Sequence, residues 1–274
     1  SPEDKQYWSE KLNLTESATV YREFVDAIKR APINIQHSSM HVIGGLLYQK
    51  EGIEAFSICD SSFTYGCYHG FFQAVLKNQG VERDTVKKLN QVCIDKFGPN
   101  DSGCQHGIGH GLMGYLGRDN LLEALNSCKI TTQKNPRHGC TAGVFMEYNM
   151  SLHFSKQDGV VDVREFNNTN PHEPCNIIPD EFQESCYHEI GLWWREVLEG
   201  DYKKIGDLCQ KIPETKKREA CFVGTGTVVA PGTFYIPEKT VSVCSNMPNF
   251  QGELWCRQGA YGAFNGQSQH KSKS

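Results

Sequence analysis

The sequence predicts an all-α protein, an array of about seven helical hairpins forming an α/α toroid or a tightly curved solenoid and stapled by six disulfides. Three observations predict it. Twelve cysteines fall into six regularly spaced pairs, an amphipathic stretch precedes the pairs, and a glycine-rich apolar stretch opens at the second cysteine of each.

The pairs are Cys59/Cys67, Cys93/Cys104, Cys128/Cys140, Cys175/Cys186, Cys209/Cys221 and Cys244/Cys256. The second members step along the chain by roughly 35 residues in every interval but one, a period that marks a repeat architecture. No Cys-x-x-Cys occurs, which argues against zinc ligation by cysteine and for disulfides. Disulfides in turn imply an oxidising compartment: secreted, periplasmic or cell-surface.

Within one repeat, residues 86–93 have the apolar spacing of an outer helix, and residues 97–103 carry the Gly and Pro of a loop. Residues 104–113 then form an inner helix with few charges and several glycines. Glycine costs a helix about 1 kcal/mol relative to alanine, so its repeated use there calls for close packing against neighbours. Residues 37–48 look like one more inner helix without its cysteine, and residues 17–30 like its outer helix. A single repeat domain is expected over 1–266, with a flexible polar tail over 267–274.

The histidines follow the repeat. Two residues after the opening cysteine stand His69, His106, Ala142, His188, Val223 and Gln258; six residues after it stand Gln73, His110, Met146, Leu192, Thr227 and Gly262. In the cysteine-free unit, His37 and His41 occupy the same two slots. Positions four apart share one helix face, so His37/His41 and His106/His110 each offer two imidazoles to one metal. His69 and His188 complete a six-histidine candidate set, while His138, His153, His172 and His270 fall outside the pattern. Glu189 follows His188 and Glu147 lies one residue past the sixth position, which makes both candidate general bases. Tyr68 and Tyr187 each precede a patterned histidine and are candidate cavity residues.

Bulk properties narrow the function classes. A net charge of −4 without a basic stripe argues against nucleic acid as a partner. No apolar run reaches the ~18 residues of a membrane span. The sequence opens at Ser1-Pro2 without Met, so a leader that is removed or lies outside this sequence is expected. Asn13, Asn100, Asn149 and Asn167 sit in N-glycosylation sequons.

An imidazole-rich ligand set suits copper, zinc or iron rather than calcium or magnesium. The leading expectation is an extracytoplasmic metalloenzyme, an oxidoreductase or hydrolase acting by redox or metal-activated-water chemistry on a small-molecule or polymer substrate. Two groups of three histidines would allow a dinuclear centre. The alternatives are a solenoid binding or metal-storage and delivery module, and a polysaccharide-processing toroid that uses His69 with Tyr68 or His188 with Tyr187 and no metal. The repeat period resembles that of tetratricopeptide-type repeats, whose consensus residues are absent. The His188-Glu189 dipeptide resembles, in architecture alone, deoxyhypusine hydroxylase, which sets His-Glu dipeptides on helical repeats around two irons.

Overall fold

The structure, a computed structural model, describes residues 5–31, 33–151 and 161–271. It is mostly helical, and the chain divides into two compact units, the first reaching Glu147 and the second beginning at Tyr148.

In the first unit the inner helices are α3 (Ile33–Glu51), α4 (Ser62–Gln79), α6 (Ser102–Leu116) and the start of α8 (Cys140–Asn149). Helix α4 packs on both α3 and α6. The outer helices are α1 (Lys5–Leu14), α2 (Ser17–Ile28), α5 (Arg83–Phe97) and α7 (Leu121–Ser127). They are amphipathic as the spacing predicts: α2 buries Val20, Tyr21, Phe24 and Ile28, and α5 buries Val86, Leu89 and Cys93. Helix α1 is a departure from expectation, since no cysteine marks it; it buries Trp8 and Leu12 and packs on α2 and α3.

The glycines of the inner helices have the packing role their frequency implied. A Cβ on Gly44 would lie 2.0 Å from the Cys67 carbonyl oxygen, and one on Gly70 would lie 1.9 Å from that of His41. The contact is therefore reciprocal and brings the α3 and α4 backbones together. Gly109 against Cys140 and Gly143 against His106 repeat it between α6 and α8. Close approach of the backbones brings the histidine-bearing faces of neighbouring helices within reach of each other.

The second unit opens with a short two-stranded antiparallel ribbon, β1 (Met150–Ser151) and β2 (Asp162–Val163), in the one longer repeat interval. Arg164 fastens the ribbon to α9 (Asp180–Val197): its guanidinium lies 3.6 Å from the Trp193 ring, and its carbonyl accepts the Trp193 indole N–H at 2.7 Å. Inner helices α9, α11 (Thr215–Gly232) and α13 (Phe250–Lys271) pack in sequence, with α10 (Tyr202–Gln210) and α12 (Pro237–Cys244) outside them. Gly224 and Gly226 face the carbonyls of His188 and Cys256 as their counterparts do in the first unit. Helix α13 runs to Lys271 and so includes residues 267–271 of the expected polar tail.

All six predicted cysteine pairs are disulfides, and no described cysteine is free. Most join the end of an outer helix to the start of the next inner one, as Cys93 in α5 joins Cys104 in α6. Such bridges suggest an oxidising, extracytoplasmic environment. No helix among the described residues is long and apolar enough to cross a membrane.

Candidate metal centre

Three successive inner helices present their second and sixth positions as a small grid. The second positions hold His37, His69 and His106; the sixth hold His41, Gln73 and His110. The five imidazoles meet. Ring centroids lie 4.9 Å apart for His37 and His41, 5.2 Å for His37 and His69, and 5.4 Å for His41 and His69. On its other side His69 lies 5.5 Å from His106 and 4.8 Å from His110. His69 is thus the junction between the two His-x-x-x-His pairs.

Ligand atoms of His37, His41 and His69 all lie within 4.8 Å of one another, a group that could hold a metal ion. The tautomer of His37 is set by its surroundings. Its Nδ1 donates to the Phe63 carbonyl at 2.9 Å, so the neutral ring presents a lone pair at Nε2, which faces Nε2 of His41 at 3.1 Å. His69 is buried, and neither of its ring nitrogens has a hydrogen-bond partner among the described residues. An unsatisfied buried polar atom costs about 1–3 kcal/mol. An ion is one of the few things that explains such an atom in a folded protein.

The second pair is built the same way. Nε2 of His106 and Nε2 of His110 lie 3.1 Å apart, and Nδ1 of His110 lies 2.9 Å from the buried Glu147 carboxylate on α8. Glu147 therefore orients a histidine, the arrangement that fixes tautomer and ring direction in metal sites.

Tyr68 is turned into an aromatic layer with Phe56, Phe72 and Phe97, and its hydroxyl donates to the Cys59 carbonyl. Burial pushes that phenol well up, which suits a packing role. In the second unit His188 Nδ1 meets Glu189 at 2.8 Å. Tyr187 there is buried, which raises its pKa, and its ring lies 6.2 Å from that of His172. His138 is exposed, whereas His153 and the side chain of His270 lie outside the described residues. Gln73 is the residue that sequence reasoning missed. Its Nε2 is buried without a hydrogen-bond partner among the described residues, and its place between two histidines at the sixth position was the available signal.

Burial, followed by the charge of neighbouring imidazoles, lowers His69 and His106 well below the usual histidine range. Burial also lowers His37, against the opposing pull of its Phe63 hydrogen bond. Neutral imidazole is the form that ligates metals. Because these groups resist protonation only when folded, the unfolded chain binds more protons once the pH falls through about 6.5. Stability of the metal-free protein is therefore complete above that pH and lost below it, by up to about 1.4 kcal/mol per pH unit for each such histidine. Thermal melts between about pH 8 and pH 5 check this, and an acid-insensitive melt would contradict it.

No known protein family, curated protein or solved structure matches the chain.

Proposed function

We propose that the protein is an extracytoplasmic metalloprotein whose transition-metal ion is held by His37, His41 and His69 on the inner helices. The observation that carries the reading is His69, whose two ring nitrogens are buried without hydrogen-bond partners among the described residues, beside a preformed histidine pair. All-imidazole ligation favours copper, zinc or iron. Such an ion would supply either redox chemistry or activation of a bound water to a small-molecule or polymer substrate. The chain's own residues hold neutral imidazoles in place, exclude water from them and offer the Gln73 amide as a hydrogen-bond donor beside them.

The enclosure of the cluster, with His69 3% and His110 4% exposed, favours a second reading, metal storage or delivery without catalysis. In the second unit His188 with Glu189, and Tyr187 beside them, belong to the proposal as candidates for substrate chemistry. The shared repeat supports one repeat domain over 1–266, and curvature into a toroid or tight solenoid belongs to the same proposal. A secreted, periplasmic or cell-surface location is supported by the six disulfides. Glycans are proposed at the exposed Asn13 and Asn100; Asn149 is buried and accepts from Arg164, and the Asn167 amide donates to Glu173.

Elemental analysis of protein purified without added metal tests the reading. Copper, iron or zinc at one or more ions per chain is expected. Protein that stays substoichiometric after each metal is offered in turn contradicts it. Turnover of oxidant or ester substrates by the loaded protein separates the enzymatic reading from storage.

A further inference from the structure

His106 and His110 stand one turn apart on α6 with their Nε2 atoms 3.1 Å from each other, as do His37 and His41 on α3. What lies behind the α6 pair differs. Nδ1 of His110 meets the Glu147 carboxylate at 2.9 Å, with both side chains almost wholly buried. A carboxylate accepts, so His110 donates from Nδ1 and its neutral ring presents a lone pair at Nε2. Nε2 of His106 faces that lone pair at 3.1 Å. Two imidazoles one turn apart are the arrangement by which one helix offers both rings to a single metal. The almost wholly buried Glu147 carboxylate behind His110 is the kind of outer partner that orients a metal-bound imidazole.

We propose that His106 and His110, oriented by Glu147, hold a second transition-metal ion beside the His37–His41–His69 centre. The assignment deepens the metal-binding reading above and rests on it. The ion takes one Nε2 from each ring. Glu147 stands behind His110, where it holds the ring and balances the ion's charge. The ring of His110 lies 6.4 Å from that of His41, so the two ions are close neighbours. That geometry suits two-metal chemistry on one bound molecule.

Zn(II) is the probe. Chelator-stripped protein is titrated with Zn(II) against a chromophoric competitor, and bound zinc is counted after gel filtration. Two ions per chain are expected for the unaltered protein, and one for His106→Ala/His110→Ala. Glu147→Gln keeps the side-chain shape and is expected to weaken one of the two ions about 10–100-fold while sparing the other. Circular dichroism melts check that each variant folds, and where the double variant does not, Glu147→Gln decides. One ion per chain in the unaltered protein overturns the second position and leaves the first centre standing, whereas none overturns both. Two ions that survive the double replacement, or two at full affinity in Glu147→Gln, also overturn it.

Discussion

Replacing both His37 and His41 by alanine is expected to remove the ion at the first centre. Structural zinc sites with four protein ligands bind with about 10–16 kcal/mol, or roughly 3 kcal/mol per ligand. Losing two of three therefore costs on the order of 6 kcal/mol, about ten-thousandfold in affinity. The fold should survive, because His37 and His41 are only part-buried and the α3–α4 contact runs through Gly44 and Gly70. Competition against a chelator of known affinity measures the loss; a change under tenfold would show that the pair is not a ligand set. Tyr68→Phe is the contrasting variant. It removes a hydroxyl that donates to the Cys59 carbonyl, so it should lower stability by about 1 kcal/mol and leave metal affinity unchanged.

Reduction of the disulfides is expected to unfold the protein at ambient temperature. Each closes a loop of 8 to 12 residues along the chain. In the chain-entropy model a loop of that size contributes about 3 kcal/mol. Six together contribute on the order of 18 kcal/mol, which exceeds the whole net stability of an ordinary domain. Glycine-rich inner helices have little intrinsic helix preference with which to offset the loss. Near-ultraviolet circular dichroism before and after a phosphine reductant measures the outcome. A cooperative melt within a few degrees of the oxidised protein would contradict the account and assign its stability to the helix contacts alone.

The repeat was legible in the sequence because its parts are periodic. Cysteine spacing located the staples, and counting from each cysteine located the histidine slots on one helix face. Equivalence between repeats then placed His37, His41, His69, His106 and His110 together, and in the structure their rings meet. What was not legible lies outside that periodicity. Helix α1 carries no cysteine, and the two-residue strands of the ribbon are too short to leave a pattern. Tyr68 shared a slot with Tyr187 beside a histidine, yet adjacent helical residues point about 100° apart. Tyr68 therefore turns away from the imidazoles into the aromatic layer around Phe56 and Phe97. Glu147 stood out only as a nearby carboxylate. Its contact with His110 depends on Gly143 letting α8 close onto α6, a tertiary fact with no linear signature.

X-ray absorption at the edge of the metal that copurifies tests the central claim most directly, because it reads the donor atoms themselves. Ligation by His37, His41 and His69 predicts a first shell of nitrogen near 2.0 Å with the outer-shell scattering of at least three imidazole rings per ion. A shell of oxygen without imidazole scattering, or of sulfur, would place the metal elsewhere and leave the histidine cluster as packing.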